Sequence, residues 1–227
     1  MSEERYVNYH QKSEMTLDIL RKEGRHPSLL MHVCCGPCSC FPLTYLCRDF
    51  DVTLYYGHSN IYPEEEFLRR RKELETLLVD IKRDYGFDVK LVMPPYEHET
   101  YMEDLHQFAS EKEGGKRCLL CYKKRMKEAY DYAEKQGFDY FCTVMTISRQ
   151  KNSQILNRLG KELEAEHAHT RYFYSDFKKK GGIDKGREMR IHYGLYNQLY
   201  CGCEYSLDAA KDRLAQSDQD HDANPGD

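Results

Sequence analysis

An α/β sandwich built on a mainly parallel sheet is the fold class this chain of 227 residues predicts. Three observations point to it. Short apolar segments recur between longer helix-like stretches, no internal repeat or long linker divides the body, and strand and helix alternate along the chain. The length fits one domain with small extensions. We expect a polar N-terminal extension over 1–25, one α/β unit over 26–215 and a disordered acidic tail over 216–227.

The elements follow in order. An amphipathic lead-in helix is expected from about Lys12 to Arg21. Leu29 to Val33 reads as a buried strand, Val52 to Tyr56 as a second, and Gly57-His58-Ser59-Asn60 as the polar loop after it. Pro63 to Asp84 reads as a long helix, with Pro63 near its start and Glu64, Glu65 and Glu66 where the helix dipole favours acids. Val89 to Met93 is the third expected strand, stopped by Pro94-Pro95, and Tyr101 to Glu111 a helix. Tyr122 to Gln136 is expected to be helical, Tyr140 to Ile147 a strand, Ser153 to Glu166 a helix, Thr170 to Tyr174 a fifth strand and Asp184 to Tyr193 a helix. In open α/β sheets, sites form at the carboxyl ends of strands where the strand order reverses. The segment after the first strand is therefore the first place to look.

That segment is rich in cysteine. Cys34, Cys35, Cys38 and Cys40 form one cluster, Cys118 and Cys121 a second, Cys201 and Cys203 a third; together they hold eight of the ten cysteines. They lie beside Gly, Pro, Lys and Arg, in loop-like sequence, at ligand-like spacings. The polar, acid-bearing N-terminus does not read as a signal peptide, and no stretch approaches the roughly 20 apolar residues of a membrane helix. A cytoplasmic location, with no membrane partner, is the expectation. Clustered thiols there read as metal-binding or redox-active. Cys47 and Cys142 sit in apolar runs and read as core, His32 as a core or supporting histidine, Asn60 as a pocket residue, and Cys40 is left open between site and core.

Cys118-x-x-Cys121 directs two thiolates at one centre from a tight turn, a spacing shared by zinc sites, redox dithiols and iron–sulfur sites. Adjacent Cys34 and Cys35 diverge, so both reach one centre more easily if it is large, such as a cubane, than if it is a single zinc. This favours Cys34, Cys35, Cys118 and Cys121 as ligands of a [4Fe–4S] cluster, with a structural zinc site as the alternative. Lys116 and Arg117 would favour ionised thiolates. The Cys201-Gly202-Cys203 turn suits a strained disulfide or two thiolate ligands.

Formal net charge is −4, and the last eleven residues carry four Asp and no Lys or Arg, so the body is near neutral. Any nucleic-acid contact must come from local patches. Arg69 to Lys72, Lys123 to Arg125 and Lys178 to Lys180 are the candidate runs, with Phe67, Tyr122 and Phe177 near them for stacking on bases.

Five ordered strings then resemble one family: His32-Val33-Cys34-Cys35-Gly36-Pro37-Cys38, Asn60 to Phe67, Lys116-Arg117-Cys118-Leu119-Leu120-Cys121-Tyr122, Arg149 to Ser153, and Tyr200 to Ser206. They resemble the cobalamin-independent epoxyqueuosine reductases of the QueH type, over roughly Leu29 to Ser206. The resemblance implies a Rossmann-like sandwich related to adenine nucleotide α-hydrolases. It implies reduction of the epoxide of epoxyqueuosine to the alkene of queuosine at the tRNA wobble position, fed by an electron donor that the sequence does not identify. It implies a [4Fe–4S] cluster on Cys34, Cys35, Cys118 and Cys121. Cys201 and Cys203 match a pair assigned either to a redox-active disulfide or to a second, mononuclear iron, and Cys38 falls where a further iron ligand is expected. The string Arg149-Gln150-Lys151-Asn152 departs from the expected Pro-Tyr-Gln-Asn.

Two other function classes follow from the residues. A thiolating or adenylating enzyme of related fold would need a Gly-rich phosphate loop after the first strand. Cysteines and Pro37 stand there instead, and proline removes a backbone donor. A zinc-stabilised nucleic-acid binder is the other, separable by metal content.

Overall fold

The computed structural model describes residues 6–222. Five strands form one all-parallel sheet in the order β3-β2-β1-β4-β5. They are β1 (Ser28–His32), β2 (Asp51–Tyr55), β3 (Lys90–Val92), β4 (Tyr140–Thr143) and β5 (Arg171–Tyr172). The chain steps outward from β1 to β2 and β3, then returns to lay β4 on the other side of β1. The order therefore reverses between β1 and β4.

Both faces are covered, as a parallel sheet requires. Successive residues of β1 point to opposite faces. Leu29 and Met31 join a core with α1 (Tyr9–Glu23), α2 (Gly36–Leu46) and α3 (Glu64–Tyr85). Leu30 joins a second core with α5 (Lys116–Gln136) and α6 (Ser153–Glu164). Between β3 and α5 lies α4 (His98–His106), and α7 (Gly182–His192) packs on α2. Asn8 caps α1 and Asn152 caps α6 by accepting a backbone N–H in the first turn.

Several expectations are corrected. The expected strand from Tyr140 to Ile147 is a strand only to Thr143; Val144–Ile147 tightens into a 3-10 turn, started by the Thr143 hydroxyl accepting from Met145 N–H. The fifth strand shrinks to Arg171–Tyr172. The helix expected over Tyr101 to Glu111 starts and ends earlier, and α5 starts at Lys116, so Cys118 and Cys121 lie inside its first turns. Two helices were not expected at all: α2, which carries Cys38 and Cys40, and α8 (Glu204–Asp222), which follows the Cys-Gly-Cys turn. The second continues into the segment expected to be disordered; 223–227, like 1–5, lie outside the described residues. Among the described residues no helix is long and apolar enough to cross a membrane.

Candidate metal centre

Strand β1 delivers Cys34 and Cys35 to the carboxyl edge of the sheet, at the reversal in strand order, and α2 begins there with Cys38 in its first turns. The sulfurs of Cys34, Cys35 and Cys38 all lie within 4.8 Å of one another. Cys34 and Cys35 Sγ are 3.7 Å apart. Hydrogen bonds from Cys35 and Cys38 hold the Cys34 thiol well below its ordinary range, while the bond to Cys34 pushes Cys35 up to about 12 and Cys38 up as well. Three sulfurs this close resist ionising together, and a bound cation would relieve that repulsion.

Cys118 and Cys121 stand apart from this trio. They line an adjoining cavity with Cys201, Cys203, Asn60 and Tyr205. Gly114 N–H donates to Cys118 Sγ at 3.2 Å, and the Tyr101 hydroxyl to Cys121 Sγ at 3.4 Å. Cys201 also lines a second, larger cavity with Cys34 and Cys38, and so stands between the two groups. Seven of the eight clustered cysteines are thus brought to one edge of the sheet. The eighth, Cys40, is fully buried and donates to the carbonyls of Pro37 and Gly186, which settles it as a core residue. Cys142 is fully buried in the sheet and Cys47 packs in the same core.

The Cys-Gly-Cys turn is held from below. Arg70 donates to the carbonyls of Cys201 (3.0 Å) and Tyr200 (3.2 Å), and Tyr62 N–H to the carbonyl of Gly202 at 2.8 Å. Gly202 has φ +140°, and a Cβ there would lie 3.2 Å from both Arg70 and Ile61. Only glycine fits that backbone so close to its neighbours. No disulfide joins any of the ten cysteines.

One cation sits among the sulfurs. Arg125 is 2% exposed, its Nε has no hydrogen-bond partner, and among the described residues no carboxylate forms an ion pair with it. Burial opposes its charge, and the sulfurs of Cys121, Cys34 and Cys201 hold it. A buried guanidinium left short of donors' partners is a site that asks for an anion. Thiolates gathered on a metal cluster supply one, so the residues present fit such a group.

Supporting side chains lie beneath. His32 is fully buried and its Nδ1 meets the Thr143 hydroxyl at 2.8 Å. His58 bonds the Val33 carbonyl and Asn60, which fixes Asn60 in the wall of the cysteine cavity. Burial lowers His58 to about 3, so this pair stays neutral at pH 7. Gln198 donates to Cys35 Sγ at 2.6 Å.

The basic runs divide. Arg70 is buried against Glu66, Arg125 faces the sulfurs, and Lys124 pairs with Asp104. Lys178, first of the third candidate run, donates to the carbonyls of Thr146 and Lys151 and pairs with Asp176, so it braces a loop. Arg125 was missed as a site residue although its signal was present. Cys118, Cys121, Tyr122 and Arg125 are spaced i, i+3, i+4 and i+7, one face of a helix. Lys151, in the departing loop, lines the larger cavity with Cys34 and Cys201.

The family model described as epoxyqueuosine reductase QueH matches residues 29–209, which takes in the whole sheet and all three cysteine segments. The chain belongs to the QueH family. Among curated QueH relatives, the epoxyqueuosine reductase QueH of Streptococcus pyogenes serotype M1 is 36% identical over 206 residues, covering 91% of this chain and 80% of the relative. That of Staphylococcus aureus (strain Mu50) is 35% identical over 202 residues, covering 88% and 84%. That of Haemophilus influenzae is 31% identical over 183 residues, covering 80% and 72%.

Proposed function

We propose that this chain is an epoxyqueuosine reductase, an oxidoreductase of tRNA modification, with residues 26–215 as its catalytic unit. The observation that carries the reading is a family match that spans the sheet together with the three cysteine segments at its carboxyl edge. The reaction takes two electrons and two protons into the epoxide, opens both C–O bonds to leave an alkene, and releases the oxygen as water. The adenylating alternative would need a phosphate loop where Cys34 to Cys38 stand.

Cys34, Cys35, Cys118 and Cys121 are the proposed ligands of a [4Fe–4S] cluster. Bound there, such a cluster supplies electrons one at a time. Beside it, Cys38, Cys201 and Cys203 either hold a mononuclear iron or, for the last two, act as a dithiol. The position of Cys201 in the walls of both cavities supports a second working centre on that side. The chain's own contribution is placement. Arg70 and Gly202 fix the Cys-Gly-Cys turn, Gln198 orients Cys35, and Arg125 sets a positive charge among the sulfurs. Lys151 presents its ammonium group at the cavity wall, where burial opposes its charge and the sulfurs of Cys201 and Cys34 favour it.

The test is anaerobic reduction of epoxyqueuosine-containing tRNA, followed by nucleoside analysis. Queuosine is the expected product, and its absence with fully iron-loaded protein overturns the assignment. Iron well above four per chain, lost in Cys201→Ser, supports the second iron; four irons with a reducible Cys201–Cys203 bond support the dithiol. Zinc in place of iron refutes both.

A further inference from the structure

The larger cavity, about 740 Å³, opens from Cys34, Cys38 and Cys201 toward solvent. That volume lies within the range of small-ligand pockets, roughly 300–1,000 Å³. Its walls carry four arginines from three parts of the fold: Arg149 in the loop after β4, Arg187 and Arg190 on α7, and Arg213 on α8. Among the described residues Glu113 is the only acidic one lining it, and Lys151 adds a fifth positive charge. None of the four arginines forms an ion pair among the described residues. Other arginines are matched with carboxylates, as in Arg21–Asp49, Arg70–Glu66, Arg71–Glu75 and Arg83–Asp84, or lie over rings, as Arg69 does over Tyr196 and Arg117 over Tyr205. Arg187 and Arg190 are one helical turn apart and so share a face.

Unpaired guanidinium groups converging on one mouth repel each other, and a polyanion relieves that repulsion. Guanidinium forks also match phosphate oxygens, which accept two parallel hydrogen bonds. The body of the chain is close to neutral, so this local excess is the place where a nucleic-acid backbone gains most.

We propose that Arg149, Arg187, Arg190 and Arg213 bind the anticodon-strand phosphates flanking the modified nucleoside, and that the nucleoside enters this cavity toward Cys34, Cys38 and Cys201. The proposal rests on the reductase reading for the identity of the RNA. It replaces the three sequence runs with a surface drawn from separate elements. Reactions on a nucleobase need the base out of its stack, and a single-stranded loop makes that displacement inexpensive.

The test measures affinity for an unmodified anticodon stem-loop RNA by fluorescence anisotropy across a series of salt concentrations. Each single-stranded phosphate contact adds about 0.7 to the slope of log affinity against log salt. R187Q/R190Q is therefore expected to lower that slope by about 1.4 and to weaken binding by roughly tenfold or more. R149Q/R213Q, on different elements, gives the same signature, while K179Q/K180Q leaves slope and affinity unchanged. Matching iron content and melting temperature exclude a folding loss. Wild-type slope and affinity in both arginine double variants overturn the proposal. If such variants still form queuosine from modified tRNA, the reductase reading survives that loss. A wild-type enzyme that binds the hairpin through these arginines yet forms no queuosine keeps the site and loses the reading.

Discussion

Arg70→Met tests how the Cys-Gly-Cys turn is held. The Arg70 side chain is 1% exposed and that of Glu66, one turn earlier on α3, is 10% exposed. The guanidinium donates to Glu66 Oε1 at 2.7 Å, to Cys201 O at 3.0 Å and to Tyr200 O at 3.2 Å. Methionine fills much of the same volume but leaves Glu66 with only the long 3.4 Å bond from the Tyr196 hydroxyl. Removing one partner of a buried ion pair costs about 3–5 kcal/mol. The two carbonyls belong to half-buried residues, where water replaces part of the lost bonding, so they add at the low end of about 1–3 kcal/mol in total. A loss of about 4–6 kcal/mol corresponds to a fall of roughly 8–24 °C in melting temperature at this chain length.

The double variant Glu66→Gln/Arg70→Met separates the two contributions. Removing the stranded carboxylate is expected to restore at least about 2 kcal/mol, while the turn stays untethered. Cys201 is then alkylated by iodoacetamide faster than in wild type, read by mass spectrometry under anaerobic conditions on metal-free protein. Thermal melts of the three proteins give the stabilities. Arg70→Met melting within 2 °C of wild type would falsify the tethering argument. A double variant as unstable as the single one would place the cost in the turn and not in the carboxylate.

Three further outcomes are expected. Arg125→Gln removes a buried cation that faces the sulfurs of Cys121, Cys34 and Cys201, so reduction of the proposed cluster should become harder. About 1–2 kcal/mol at an effective dielectric of about 20 corresponds, for a one-electron step, to a potential more negative by about 50–100 mV, and an unchanged potential in EPR-monitored titration refutes the role. Glu134 accepts backbone N–H bonds from Thr170, Ala168 and His169, led by Thr170, which lower it to about 2 from an ordinary 4.5. Its folded value lies below its unfolded one, so the stabilisation is full above about pH 4.5 and fades as pH falls toward 2. Glu134→Gln should thus be less stable than wild type at pH 7 and converge with it in acid; a gap in urea midpoints that stays constant with pH contradicts this. Anaerobic chelation of the proposed metal should lower the melting temperature and speed amide exchange in 201–206, where Cys201 and Cys203 would lose their ligand bonds; unchanged exchange there would argue against Cys201 and Cys203 as ligands.

What the sequence disclosed depended on how many sides of an element are wet. The interior strands β1 and β2 read clearly because apolar runs such as Leu29 to Val33 are bounded by polar turns. Helix α2 did not read as a helix. Its first turn is Gly36-Pro37, Pro42 lies inside it, and it is buried between the first sheet core and α7, so no polar face betrays a 3.6-residue period. Helix α8 was hidden by its acidic composition, since polarity alone does not separate an exposed helix from a tail. The cysteine segments were legible as a site because thiols beside Gly, Pro and Arg have no packing reason to recur. Their grouping was not legible: that Cys38 joins Cys34 and Cys35, and that Cys118 and Cys121 face Cys201 and Cys203, depends on where α2 and α8 lie. The basic runs misled for a related reason. A run of like charges says nothing about which member points inward, although Arg70 falls on the stripe of Glu66, Leu74, Leu77 and Ile81, spaced at three to four residues, that α3 buries.

The placement of charge connects the fold to the chemistry. A parallel sheet gathers the loops from several distant segments at one edge, so thiols more than 80 positions apart in sequence, such as Cys34, Cys118 and Cys201, come together only when the sheet is formed. Metal binding at such a site is coupled to folding, because the unfolded chain has no assembled ligand set. The same edge collects both kinds of unmatched cation: Arg125 beneath the sulfurs, closed off from solvent, and the four arginines around the cavity mouth, open to it. Buried charge without a carboxylate is costly in a protein that has only to be stable. Arg125 faces the sulfurs of Cys121, Cys34 and Cys201, while the four arginines line the larger cavity that Cys34 and Cys201 also line; in the proposed function thiolates would answer the inner charge and a phosphate backbone the outer ones. A carboxylate paired with either set would stabilise the chain alone and weaken its hold on the group it must bind. An electron-delivering centre beneath an RNA-binding mouth, as proposed, would use both sets: among the described residues none of these five arginines has a carboxylate partner, so each charge is left for the group it would bind.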